Sequence, residues 1–329
     1  MSRELLLGCI GCGFIADIHL RNAARLPGVR LWAAADVRLQ AAQDFQNRFG
    51  GEYATKDAQR VLDDPAVDAV LICTHPDSHA GFACAAARAG KHVFLEKPMA
   101  PTSDECREIR RVCRDHGTRL AIDLKFRFSP AVRAVKAHVP HPVLIFAQTS
   151  MDPFPDGHDH VNPRKGGGIL GDLGTHSLDL ACHLAGAEPV SVFAIGNRLR
   201  SRTQVEFDAI AGTLEFSNGA ISSFLISDCG EWAHPSKWFF EVSDGARKAV
   251  ITDHCRTALL DNNRRSIDEP ATPAHEIGTL AALEDFLSAI HEDRDPLVSG
   301  LDGLRAAVLV EAVHASLASR RPVAVGVPD

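Results

Sequence analysis

Leu5-Leu6-Leu7-Gly8-Cys9-Ile10-Gly11-Cys12-Gly13-Phe14-Ile15-Ala16 decides how the first part of this chain folds. The apolar run 5–10 reads as a buried strand, Gly11 and Gly13 as a tight turn, and the residues from Phe14 to Leu26 as a helix. That order is the setting a dinucleotide fingerprint needs. Glycines let the backbone turn sharply and come close to a pyrophosphate, whose charge faces the helix N-terminus. Cofactor contacts are therefore expected from Gly11, Gly13, Phe14, Ile15 and Ala16. Asp36 follows the next strand, 29–35, about 20 residues after the fingerprint closes. A carboxylate there accepts hydrogen bonds from the ribose hydroxyls and repels a 2'-phosphate, which favours NAD. Arg38 works in the other direction, since a guanidinium neutralises that phosphate, so NADP stays possible. The plainer alternative for Asp36 is a helix cap.

From residue 4 to 123, short β-rich runs alternate with helical stretches. Strands are expected at 5–10, 29–35, 69–73, 92–96 and 119–123, and helices at 77–89 and 103–116 among others. Thr102 or Ser103 should cap the latter helix and Gly117 should stop it. Such alternation makes a doubly wound parallel sheet. Past residue 123 the pattern changes to β-rich segments at 143–151, 190–198, 204–216, 220–227, 238–243 and 248–252. Asn218-Gly219 and Asp244-Gly245 are hairpin turn signals. One helix near 170–184 interrupts the strands, and two more near 277–291 and 301–319 close the chain. The expected organisation is an α/β dinucleotide-binding domain over 1–124, then an α+β domain over 125–329 with a largely antiparallel open sheet. The closing helices are expected to be able to pack back on the first domain.

Residues that carry chemistry cluster after strand ends. Thr74-His75-Pro76-Asp77-Ser78-His79 lies beyond the strand 69–73, at the edge where open α/β sheets bind ligands, so Thr74, His75, Pro76 and His79 should border the cofactor. His79 has an alternative as an ordinary helix-face histidine. Glu96-Lys97-Pro98 occupies the same edge after 92–96. A lysine beside bound nicotinamide polarises a substrate oxygen and joins a proton relay, with Glu96 next to it and Pro98 fixing the loop; a surface lysine paired with Glu96 is the alternative. In Gly166-Gly167-Gly168-Ile169-Leu170-Gly171-Asp172-Leu173-Gly174-Thr175-His176-Ser177-Leu178-Asp179, a helix places Asp172, His176 and Asp179 on one face. An acid beside an imidazole tunes it towards a general base, and the glycines leave backbone free to approach a ligand or the other domain. His158, Asp159 and His160 precede this motif. Their spacing matches no metal signature, and a polar substrate loop over 152–165 accounts for them better.

Composition narrows the classes. The chain has 329 residues, 45% of them hydrophobic, enough for two cores, and a net charge of −7 without the basic block that nucleic acid would require. No apolar stretch approaches the roughly 20 residues that span a bilayer, and no secretory segment is visible. Nine scattered cysteines suit a reducing, cytoplasmic setting, and Cys9-x-x-Cys12 lies inside the phosphate turn with no second paired motif, which argues for a structural role.

The fingerprint with His19, Glu96-Lys97-Pro98, Arg127-Phe128-Ser129-Pro130 and the 166–179 motif, in this order, resembles the glucose-fructose oxidoreductase, inositol dehydrogenase and MocA family (Gfo/Idh/MocA) over nearly the whole chain. The resemblance implies a Rossmann domain and an α+β domain whose sheet commonly joins homodimers or homotetramers. It also implies NAD(P)-dependent oxidoreduction of a sugar, cyclitol or related polyol, with Lys97, Asp172 and His176 as the catalytic trio and Arg127 near the substrate. Lys125 departs from the family's usual neutral residue, so a second cation is expected to face the substrate, or else to lie solvated at a strand end. Trp232, His234 and Trp238 are candidates for an apolar platform under a sugar, or for packing. Two rival functions are an NAD-dependent glycosidase acting through transient oxidation and a non-catalytic cofactor-bound sensor.

Overall fold

The computed structural model describes residues 3–153, 159, 162, 165–199, 207–230, 236–261, 265–268 and 272–326. Strands β1 (Leu5–Ile10), β2 (Val29–Ala35), β3 (Tyr53–Thr55), β4 (Ala69–Ile72), β5 (His92–Leu95) and β6 (Leu120–Ile122) form one sheet in the order β3-β2-β1-β4-β5-β6. All its pairings are parallel. Helices α1 (Phe14–Ala23), α2 (Leu39–Phe49), α3 (Ala58–Asp63), α4 (Pro76–Arg88) and α5 (Ser103–Asp115) supply the crossovers. A parallel sheet covered by helices buries both faces, and β4 and β5 accordingly read Ala-Val-Leu-Ile and His-Val-Phe-Leu with almost no exposure. Thr102 caps α5 in a full capping box with Glu105, and Gly117 follows it at φ +66°.

Among the described residues the second sheet has nine strands: β7 (Leu144–Ser150), β8 (Pro189–Asn197), β9 (Ala209–Phe216), β10 (Ile221–Ser227), β11 (Trp238–Ser243), β12 (Lys248–Thr252), β13 (Thr257–Leu260), β14 (Arg265–Asp268) and β15 (Val323–Ala324), ordered β14-β13-β12-β11-β7-β10-β9-β8-β15. Its pairings are antiparallel except between β7 and β10. The hairpins β9-β10 and β11-β12 turn at Gly219 (φ +85°) and Gly245 (φ +92°). Helices α6 (Pro130–His138) and α7 (Thr175–Ala185) pack on one face of this sheet. Helices α8 (Thr279–His291) and α9 (Gly300–Ser319) follow β14 and precede β15.

The chain forms two compact units that do not correspond to a single cut. One comprises Met1–Asp123 with Thr279–Gly303, the other Leu124–Gly278 with Leu304–Asp329. Within the first unit α8 packs on α1, Asn22 donates to the Thr279 hydroxyl at 2.9 Å, and Phe286 meets the edge of Phe94 at 5.5 Å between centroids. Among the described residues, no helix is long and apolar enough to cross a membrane.

Candidate functional site

After β1 the chain turns through Gly11 at φ +88°, a conformation that glycine adopts without strain. A Cβ there would lie 2.7 Å from the Cys73 carbonyl oxygen, so the fold itself demands this glycine. Gly13 differs. Its φ is −99°, and nothing lies within 4 Å of where its Cβ would stand. Neither backbone angle nor neighbours require a glycine, yet the missing side chain leaves clearance at the N-terminus of α1, where a pyrophosphate must approach. These residues therefore fit a dinucleotide. Phe14 is 70% exposed and Ile15 half-buried, but Ala16 is fully buried; its smallness serves close packing of helix on strand, and its side chain reaches no ligand. The Cys9 thiol is held well above the usual thiol range by its hydrogen bond with Cys12 and by burial, which leaves it inert.

Asp36 does more than the cap alternative allowed. Its Oδ2 accepts from the Cys12 amide at 2.9 Å, bracing the phosphate turn, while Oδ1 accepts from the Arg38 amide at 2.8 Å. The N-cap of α2 is Arg38, not Asp36. The Arg38 guanidinium is 73% exposed and 3.5 Å from Asp36 Oδ1, so the cation lies beside the carboxylate on the open side. Past β4, Thr74 and Ser78 share a hydroxyl hydrogen bond of 2.7 Å, His75 is exposed and Pro76 opens α4.

Lys97 stands two residues beyond β5 and is half-buried, followed by Pro98 across a cis peptide bond. Glu96 is no solvated partner for it: the carboxylate is buried and receives the His19 Nε2 at 2.7 Å, while Asp123 Oδ2 stands 3.7 Å from the same nitrogen. His79 is fully buried, with Nδ1 at 2.9 Å from the Pro98 carbonyl and Nε2 at 3.0 Å from the Thr74 carbonyl. Backbone carbonyl oxygens stand against both of its nitrogens, and whichever nitrogen carries the proton donates to one of them. Burial pushes this imidazole below its ordinary value of 6.5, against the pull of those carbonyls.

In the second unit the acid-histidine motif is helical, but not uniformly α. Residues Leu170–Gly174 form a π turn that carries Asp172, and α7 begins at Thr175 with His176 in its first turn. Such turns recur at functional sites. Two of the glycines serve internal packing: a Cβ on Gly167 would meet the Gly171 Cα at 2.8 Å, and one on Gly174 would meet Leu170 Cδ1 at 2.6 Å. Asp172 is half-buried and His176 is buried, its ring 4.9 Å from Phe126 and 5.8 Å from Trp238. Trp238 is thus core packing beside the histidine and offers no open platform. Asp179 holds Arg127 through two hydrogen bonds, Nε to Oδ2 at 3.0 Å and Nη2 to Oδ1 at 2.5 Å. This engages the guanidinium within the fold. Lys125, far from being solvated, is buried, and its ammonium donates to the His275 carbonyl at 2.6 Å. Asp159 pairs with Lys165 at 3.0 Å, whereas His158, His160, Trp232 and His234 lie outside the described residues.

Both halves of the chain match known family models. Residues 5–124 match the oxidoreductase family with an NAD-binding Rossmann fold, and residues 147–325 match its C-terminal alpha/beta domain. The chain belongs to the Gfo/Idh/MocA oxidoreductase family. Levoglucosan dehydrogenase of Pseudarthrobacter phenanthrenivorans is 32% identical, with 96% of this chain and 97% of that protein covered. Myo-inositol 2-dehydrogenase of Thermotoga maritima is 28% identical, with 96% and 97% covered. A solved levoglucosan dehydrogenase in complex with NADH and levoglucosan superposes with a TM-score of 0.87 at 26% identity, over 98% of this chain and 100% of that one. The first unit thus contains the NAD-binding domain of a Gfo/Idh/MocA oxidoreductase, and the open space at Gly13 and the carboxylate of Asp36 are where this chain would hold NAD. His19 and Asp123 are the residues that reading the sequence for chemistry underrated. His19 stands three positions beyond Ala16 of the fingerprint, and that spacing was the available signal.

Proposed function

We propose that this Gfo/Idh/MocA protein is an NAD-dependent dehydrogenase acting on a secondary alcohol of a polyol, sugar or cyclitol, with ketone reduction as the reverse reaction. The observation that carries the reading is the placement of Lys97 just past the carboxyl end of β5, in the same sheet whose β1 ends in the open Gly13 turn. Bound NAD supplies the hydride acceptor. Lys97 polarises the substrate oxygen, His176 takes the hydroxyl proton, and Asp172 orients that imidazole or binds a neighbouring hydroxyl. Levoglucosan and inositol dehydrogenases among the relatives support a polyhydroxylated substrate. Purified protein with NAD or NADP, screened against inositols, levoglucosan, aldoses, sugar acids and glycosides, should accumulate reduced cofactor with at least one polyol. Aglycone release from a glycoside at constant absorbance would replace this reading with the glycosidase one.

Asp36 is proposed to set the preference for NAD. Asp36→Ala should narrow the NAD over NADP ratio of kcat/KM by roughly tenfold, the order expected for loss of a charge-assisted contact, with Arg38 then open to the 2'-phosphate. An unchanged ratio would reduce Asp36 to a brace for the Cys12 amide.

The second sheet is proposed to join two copies of the chain. Leu144 and Phe146 on β7, Ile221 on β10 and Phe193 and Ile195 on β8 line up across the register on the face away from α6 and α7, and each is at least 36% exposed. Sedimentation should show an oligomer, and the pair Phe146→Asp and Ile195→Asp should reduce it to a monomer; a monomeric parent protein would remove the proposal.

A further inference from the structure

We propose that His19 and His79 are positioning residues for Lys97: two buried imidazoles grip the residues on either side of it and so fix where its ammonium is presented. This rests on the dehydrogenase reading above, in which Lys97 acts on the substrate oxygen. His19 on α1 holds the residue before Lys97 through the 2.7 Å contact with Glu96 Oε1. The other oxygen of Glu96 accepts the Lys97 amide at 3.2 Å, so the carboxylate links the histidine to the Lys97 backbone itself. His19 is in turn held by the edge of Phe94 at 5.0 Å and by Asp123, whose own amide donates to the Leu95 carbonyl at 2.9 Å. On the far side, His79 on α4 meets the Pro98 carbonyl with one nitrogen and the Thr74 carbonyl with the other. The ring thereby sits wedged between the loop after β5 and the loop after β4, bonded to one and packed on the other.

Both rings are fully buried. A buried imidazole without an acceptor would be costly, and its bond has little freedom to rearrange, so the hydrogen bond each ring donates is a rigid tether; the neutral His79 ring donates from one nitrogen and packs the other against the second carbonyl. His19, Glu96 and Asp123 also converge closely enough to suggest a metal cage. The 2.7 Å separation between the histidine nitrogen and the glutamate oxygen is a charge-assisted hydrogen bond, with the nitrogen proton occupying the place an ion would take. Positioning is therefore the chemistry these groups perform. A lysine misplaced by about an ångström costs on the order of 10²-fold in rate.

The test uses full-length protein in two measurements. In the NADH complex, amide hydrogen exchange of residues 95–99 should accelerate in His19→Leu and in His79→Leu, while His19→Gln and His79→Gln, which keep a donor, should restore most of the protection. Unchanged exchange over 95–99 in both leucine variants overturns the proposal, and it does so whatever the substrate is. With levoglucosan or myo-inositol as the oxidised probe, each leucine variant should lower kcat by roughly 10- to 100-fold with NADH affinity nearly unchanged. In a Lys97→Ala background that further loss should shrink to less than about threefold, because groups acting through one residue are not additive. Equal losses in both backgrounds would make the histidines structural only. If Lys97→Ala alone keeps near-normal turnover, the catalytic reading of Lys97 falls, and the exchange result still reports separately whether the two histidines fix its backbone.

Discussion

Lys97→Ala and His176→Ala are each expected to lower turnover by roughly 10²- to 10⁴-fold while leaving NADH affinity close to that of the parent protein. Proton transfer and polarisation of the reacting oxygen are made in the transition state, so removing either group weakens the chemical step more than cofactor binding. Lys97 is half-buried at the end of β5, and alanine there empties no core position. His176 is packed against Phe126 and Trp238, so alanine also leaves a void, and His176→Gln is the control that fills it. Single-turnover formation of NADH, alongside NADH titration by fluorescence, separates the two effects. Turnover near that of the parent in both alanine variants would remove these residues from the chemistry.

The second large effect concerns two glycines of one turn that should fail in opposite ways. Gly13→Val should leave the melting temperature within a few degrees of the parent and weaken NADH binding by roughly ten- to a hundredfold, because its Cβ has no protein atom within 4 Å and the added carbons occupy the approach of the ligand. Gly11→Ala should instead unfold earlier, since the substitution combines a positive φ with a contact of 2.7 Å to the Cys73 carbonyl oxygen. The strained backbone alone costs about 1–3 kcal/mol. Thermal melts with and without NADH give both results at once. A Gly13→Val protein that binds NADH as the parent does would place the pyrophosphate elsewhere.

Much of the fold was legible because its signals are local. The fingerprint over 11–16, the Thr102 and Glu105 cap with Gly117 behind it, and the turns at Gly219 and Gly245 each depend on neighbours a few residues away, which is the range over which periodicity and turn chemistry act. The parallel pairing of β7 with β10 inside an otherwise antiparallel sheet had no such signal, since it joins residue 144 to residue 221 with helix α7 and strands β8 and β9 between them in sequence. The same holds for the short strands β3, β14 and β15, whose two to four residues carry no readable period. Site residues divide along the same line. Lys97, Asp172 and His176 were candidates by motif, but that Asp172 rides a π turn, that Arg127 is paired with Asp179, that Lys125 is buried against the His275 carbonyl, and that His19 and His79 bracket Lys97 are consequences of packing. Sequence by itself determined the residue types and the order of the elements, because local backbone preferences and glycine sterics act before any long-range contact forms. Only the tertiary structure decided which buried polar groups meet, because a buried donor or acceptor must find a partner and that partner is chosen by the fold, often 50 to 150 residues away.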